Sequence, residues 1–188
     1  MEKYNYLAEK AIASGAYKAA VISVSEIETD ASFRTLCEQN VCGRFGRCYT
    51  CPPDVGGINE LMAKLKGYDY ALVYQTVGML EDSFDIEGMH DAAVKHSELI
   101  LAMLEAYEGD VLHLGAGGCP LCERCAKITN EPCRHPSKAI ASLEAHGVNV
   151  SELAKACGMK YINGQNTVTY FGAMLFKENF DADNKGNI

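Results

Sequence analysis

Cys119, Cys122 and Cys125 follow one another as C-x2-C-x2-C in the segment GGCPLCERCAKITNEPCRHP, and Cys133 comes after seven more residues. Thiolates are soft donors, suited to zinc and to iron–sulfur clusters. Three of them in one tight turn can reach three corners of a cubane, and a fourth from further along can close it. The bacterial ferredoxin loop runs C-x2-C-x2-C-x3-C-P, with its fourth Cys ligating a neighbouring cluster in some proteins. The present loop shares the triplet and differs in the gap to the fourth Cys. Zinc takes four ligands, usually as two separated pairs. The triplet therefore favours a [4Fe-4S] cluster, with Zn2+ as the alternative. His135, two residues past Cys133, could substitute as a ligand or simply face solvent beside Arg134.

A second cysteine-rich stretch, LCEQNVCGRFGRCYTCPPDVGG, places Cys37, Cys42, Cys48 and Cys51 at C-x4-C-x5-C-x2-C. Four thiolates suffice for a second cluster or a zinc ion. The Cys51-Pro52-Pro53 ending resembles the C-P that closes ferredoxin runs, and Cys51 could instead cross over to the other loop. Arg44 and Arg47 lie between these cysteines, as counter-charges for thiolates or as solvated loop residues. Gly115, Gly117 and Gly118 precede Cys119. Without a Cβ they let backbone N–H groups turn toward sulfur, which marks them as candidate cofactor-binding positions. Plain turn formation is the other reading, and G-x-G-x-x-G before a helix is absent. Cys157 stands alone near a helix end and reads as a small buried apolar residue.

The elements that must carry these loops show in the periodicity. Tyr4, Leu7, Ala8, Ala11 and Ile12 predict a helix ended by Gly15, and Lys18 to Val24 a strand. Glu26 to Gly57 is too long for an ordinary connection and reads as an irregular functional loop. Ile58, Leu61, Met62 and Leu65 predict a helix, and Tyr70 to Val77 a buried strand. The stripe Ala92, Ala93, His96, Leu99, Ile100, Met103, Leu104 and Tyr107 predicts a long helix before Gly109. Val111 to Leu114 follows as a strand. Pro136 is expected to open a helix with Ala139, Ile140 and Leu143 facing inward, stopped by Gly147. Asn149 and Glu152 resemble a capping pair for a further short helix. Thr167 to Phe176 reads as the last strand, and 181–188 as a polar tail. The expected architecture is one α/β (α+β) metal-binding domain over 1–188, with a mixed sheet of about four strands covered by helices.

The remaining residues narrow the function. His90 and His96 are six apart on the long helix, Glu81, Asp82 and Asp85 read as a solvated loop, and His113 reads as a core histidine. No acid/base pair or nucleophile constellation emerges. With 188 residues and 48% hydrophobic content, the chain can build a core without metal. A formal charge of −8 disfavours nucleic acid and suits a basic redox partner protein. No stretch approaches the ~18 apolar residues of a membrane span. MEKYNYLAEK lacks the pattern of a secretory signal, so the chain is expected in the cytoplasm. There, nine Cys read as metal ligands or redox groups rather than as disulfides.

Taken together, CEQNVCGRFGRCYTCPP, LHLGAGGCPLCERCAK, PCRHP and SLEAHGVNV resemble the predicted metal-binding proteins of domain of unknown function 2284, over about Cys37 to Phe176. The resemblance implies metal binding, through iron–sulfur clusters, in largely anaerobic microbes, and it supplies no reaction. It carries Cys119, Cys122, Cys125 and Cys133 over as one metal motif and Cys37, Cys42 and Cys51 as another, and leaves open whether Cys48 is the fourth ligand of that first-loop motif. Three functions are therefore expected to compete. One is an electron carrier with one or two [4Fe-4S] clusters, and another is an interaction module stapled by zinc. The third is a catalyst with an open iron position.

Overall fold

Tyr4, Leu7 and Ala11 are one turn apart and all buried, so the first helix, α1 (Asn5–Ala13), lays one face on the sheet beneath it. The structure, a computed structural model, describes residues 2–107 and 109–180. After α1 come β1 (Lys18–Ser23), α2 (Phe33–Glu38), α3 (Ile58–Leu65), β2 (Tyr70–Met79) and α4 (Ile86–Ala106). They are followed by β3 (Leu112–Gly115), β4 (Ala141–Ser142), α5 (Val150–Ala156) and β5 (Thr167–Phe176). The sheet order is β1-β2-β5-β3-β4. All pairings are antiparallel except β3 with β4, so the sheet is mixed.

The two central strands, β2 and β5, pair along their whole length, from Tyr70↔Phe176 to Met79↔Thr167. Alternate residues serve opposite faces. Ala71, Val73, Phe171, Ala173 and Leu175 join Leu65 of α3, Leu143 and Leu153 of α5 in one core layer. Leu72, Tyr74, Met174 and Phe176 join Leu7 of α1 and Leu99, Ile100 and Met103 of α4 in the other. A sheet covered on both faces explains why these two strands read as near-continuous apolar runs. Phe176 has no exposed surface and meets Tyr4 at 4.9 Å, Phe180 at 5.2 Å and Tyr70 at 5.9 Å between ring centroids. Truncation to Ala removes all three ring contacts. Phe176→Ala is expected to lower the unfolding free energy by roughly 3–5 kcal/mol, read from urea denaturation. A midpoint equal to wild type would show that the layer does not depend on this ring.

Helix ends follow local chemistry. The Asp85 carboxylate caps α4 by accepting from Gly88 N–H at 2.8 Å, so this acidic residue is structural rather than merely solvated. Asn149 caps α5 by accepting from Glu152 N–H at 3.3 Å, as its sequence pattern suggested.

Two segments differ from expectation. Residues 136–147 do not form a helix. Ala141 and Ser142 pair with Leu114 and Gly115 as a fifth strand, and Glu144–His146 is a single 3-10 turn. Ile140 and Leu143 are buried as expected, but so are Ala141 and Ser142 between them. A short run buried on all sides carries no helical stripe, and strand pairing decides its conformation. The 26–57 stretch also contains α2, which puts Cys37 on a helix rather than in an irregular loop.

Gly147 ends the 3-10 turn at φ +72, a region costly for residues with a Cβ. A Cβ there would lie 3.0 Å from the Asp30 carbonyl oxygen, while Asp30 N–H donates to Gly147 O at 2.7 Å. The Asp30 backbone, with the Met62 and Ile58 side chains at 3.0 and 3.2 Å, leaves little room to yield. Gly147→Ala is expected to cost about 2 kcal/mol of stability, and an unchanged thermal midpoint would argue that the turn re-forms with another φ. Among the described residues, no helix is long and apolar enough to cross a membrane.

Candidate metal centre

The first cysteine loop is anchored by Arg34, a buried arginine that sequence reasoning passed over. Its guanidinium donates to Gly56 O at 3.1 Å and to Ala145 O at 2.9 Å, which fixes α2 and hence Cys37. The chain then turns at Asn40, whose side chain accepts from Phe45 N–H at 3.0 Å. It passes the exposed Cys42 and folds back where Gly46 N–H donates to Pro52 O at 2.8 Å. Cys51 N–H donates to Cys48 O at 3.0 Å, closing a turn that brings the two thiols of C-x2-C into hydrogen-bond contact. Both side chains are buried.

The second loop leaves the sheet at Gly115, which is buried in β3 where a Cβ would crowd the Ile100 side chain. Gly117 turns the chain at φ +70, and Gly118 lies under the Arg44 side chain, with a Cβ position 3.4 Å from Arg44 Cδ. Cys119 follows, and its sulfur accepts from Ile140 N–H at 3.5 Å and from Leu121 N–H. Cys125 precedes the 3-10 turn Ala126–Thr129, and the chain returns to Cys133 after Glu131 N–H bonds to Ala126 O at 3.1 Å.

The two loops are strapped together. Tyr49 hydroxyl donates to Glu131 O at 2.8 Å. Lys127 pairs with Asp54 at 2.5 Å and stands 5.3 Å from the centre of the Tyr49 ring. The straps carry Cys48 across to the second loop. One pocket is lined by Cys48, Cys119, Cys122, Cys125 and Cys133, with His135 also on its wall. It is Cys48, not Cys51, that crosses over. Cys37, Cys42 and Cys51 are not among the residues that line it. Cys157 packs against the core, where burial pushes its thiol up to about 12.

Electrostatics separate these thiols. The hydrogen bond from Cys51 holds Cys48 down at about 4 against the opposing effect of burial, with further bonds from Thr50 and from Cys119 N–H. The same Cys48–Cys51 bond, with burial, raises Cys51. Thr50 Oγ1 lies 3.3 Å from the Cys48 sulfur. It had no signal beyond standing inside C-x2-C. Burial raises Cys37, helped by the charges of Cys42 and Glu144. Burial also raises Cys119, offset by the Ile140 and Leu121 N–H groups.

All nine cysteines are free thiols. Among the described residues, no three His, Cys, Asp or Glu side chains stand where they would hold a single metal ion. The pocket lining nevertheless offers five thiols and the His135 side chain, donor types that suit a soft metal centre, with the Ile140 N–H already donating to the Cys119 sulfur.

A family model described as predicted metal-binding protein, domain of unknown function 2284, matches residues 20–176. No curated protein and no solved structure matches the chain.

Proposed function

The chain belongs to the predicted metal-binding family of domain of unknown function 2284, and from that membership we propose that it is an iron–sulfur protein. Its two cysteine loops hold one or two [4Fe-4S] clusters and serve electron transfer. The observation that carries this reading is the convergence of five thiols from two separate loops on one pocket. Four closely held thiolates satisfy a cubane, and the C-x2-C-x2-C triplet suits a cluster better than the paired ligands of zinc.

When bound, such a cluster supplies one-electron chemistry at a potential set by burial and by hydrogen bonds to sulfur. This chain's residues provide both. Ile140 and Leu121 N–H groups bond Cys119, while Cys119 N–H and the Thr50 hydroxyl bond Cys48. The straps Lys127–Asp54 and Tyr49–Glu131 hold these donors in place. A net charge of −8 favours docking to a basic redox partner. Nine unbridged thiols suit a reducing compartment such as the cytoplasm.

The test is anaerobic purification followed by iron, zinc and acid-labile sulfide counts and electron paramagnetic resonance. The expected product is brown, with iron and sulfide in equal amounts, about four or about eight of each per chain. A colourless protein with zinc and no sulfide would replace this reading with the zinc-stapled interaction module.

A further inference from the structure

The turn between β2 and α4 presents large apolar side chains to solvent. Met79, Phe84 and Ile86 are 76%, 84% and 73% exposed on one short stretch of chain. Single exposed apolar residues are ordinary, whereas a group of them marks a contact surface. The turn that carries them is held by its own hydrogen bonds. Glu81 N–H donates to Asp85 Oδ2 at 3.0 Å, and Phe84 N–H to Asp82 Oδ1 at 2.7 Å. Leu80 N–H donates to Asn166 O and the Asn166 side chain to Glu81 O, both at 2.9 Å, which ties the turn to the start of β5. Ile86 N–H donates to Phe84 O at 2.8 Å and keeps these two residues on one bend. Met79 also stands, with Tyr17, Ala92 and Leu99, on the wall of a groove of about 920 Å³ between the end of β2 and α4.

The charge around these side chains is of one sign. Glu81, Asp82, Asp85, Glu87 and Asp91 follow one another, and no Lys or Arg occurs between Lys66 and Lys95. Lys95 is the single cation among the residues that line the groove, against Asp91 and Glu98. We propose that Met79, Phe84 and Ile86, with the groove beside Tyr17, are the docking surface for a protein partner that sets a Lys- and Arg-rich face around an apolar contact. An isologous contact with a second copy would set these carboxylates against one another, and nucleic acid or an anionic membrane would meet like charge. Because the hydrogen bonds of the turn fix Phe84 and Ile86 before contact, docking has little ordering left to do. The acidic rim speeds the encounter, and the apolar side chains decide how long it lasts. The surface uses none of the cysteines, so it stands whatever the cysteine pocket holds.

The experiment titrates the full chain, purified anaerobically, with a synthetic amphipathic helix of Lys and Leu at low salt, followed by calorimetry. An all-Lys helix and a Glu–Leu helix serve for comparison. The Lys–Leu helix is expected to bind saturably and more tightly than either of the others. Phe84→Ser with Ile86→Ser is expected to weaken it about tenfold. Glu81→Gln with Glu87→Gln is expected to weaken it too and to flatten its salt dependence. Val41→Ser, at a residue 85% exposed in the first cysteine loop, is expected to change nothing. Circular dichroism checks that each variant is folded. Equal binding of the all-Lys helix would remove the apolar anchors, and an equal loss in Val41→Ser would remove the location. Equal binding of the Glu–Leu helix would remove the charge selection. A chain that sediments as a dimer, and as a monomer when it carries Phe84→Ser and Ile86→Ser, would give the surface to a second copy and overturn the proposed partner. No saturable binding of the Lys–Leu helix would overturn the docking surface altogether. Absence of sulfide, which would remove the iron–sulfur reading, leaves these expected results as they are.

Discussion

Cys119→Ser with Cys122→Ser in the same chain is expected to empty the second-loop centre, lowering reconstituted iron by about four per chain with a matching loss of sulfide. The double change matters because the pocket holds five thiols. Removing one, for example Cys133→Ser, leaves four, enough for a cubane if the loop adjusts, so a single variant is expected to keep much of its iron. Removing two leaves Cys48, Cys125 and Cys133, so one iron of a cubane would have no protein thiolate, and a cluster held that weakly is expected to be lost on desalting. The variant should still fold. Cys119 only touches one core layer from its edge, and Cys122 touches neither. Far-ultraviolet circular dichroism therefore stays at wild type while the visible absorbance falls. Equal iron and sulfide in the double variant would show that the metal is held elsewhere.

Acid is expected to destabilise the fold through its buried histidines, His96 and His146 above all, with His113 shifted in the same direction by burial. His96 and His146 are each 2% exposed. Burial holds both at about 4, against an ordinary value near 6.5, with Lys64 and Arg34 adding to the effect at His146. Between those values the unfolded chain takes up protons that the folded chain refuses. Stability is thus complete above about pH 6.5 and falls as the pH drops toward 4. At 1.36 kcal/mol per pKa unit, each histidine accounts for roughly 3 kcal/mol. Glu144 acts in the opposite direction, because burial raises its carboxyl and its ionised form is penalised as the pH climbs. Urea unfolding between pH 7.5 and 4.5 gives the slope, and histidine carbon-bound proton resonances identify its source. Ring signals of His96 and His146 that titrate near 6.5 in the folded protein would contradict this account.

The sheet was legible because its central strands are buried on both sides. A run such as TVTYFGAMLF has few polar residues to confuse its assignment, and β5 occupies Thr167–Phe176 as its composition suggests. Helix α3 was legible from four apolar positions and a following glycine. Residues 136–147 were not, since Ala141 and Ser142 owe their conformation to Leu114 and Gly115, which are distant in sequence. The cysteine loops show the same limit. Spacing alone groups Cys119, Cys122, Cys125 and Cys133, and the pocket contains all four. It cannot say that Cys48 joins them, because that depends on Lys127 meeting Asp54 and Tyr49 meeting Glu131, pairs 73 and 82 residues apart. Arg34 was hidden likewise: an arginine in a polar stretch looks solvated until two carbonyls close over it.

Both core layers are completed by aliphatic and aromatic side chains of the strands and covering helices, with Cys119 the sole candidate ligand that borders them among the described residues. On the iron–sulfur reading proposed above, a newly made chain would assemble its scaffold first and receive inorganic cargo afterwards, and oxidative loss of that cargo would leave an intact acceptor ready for reloading.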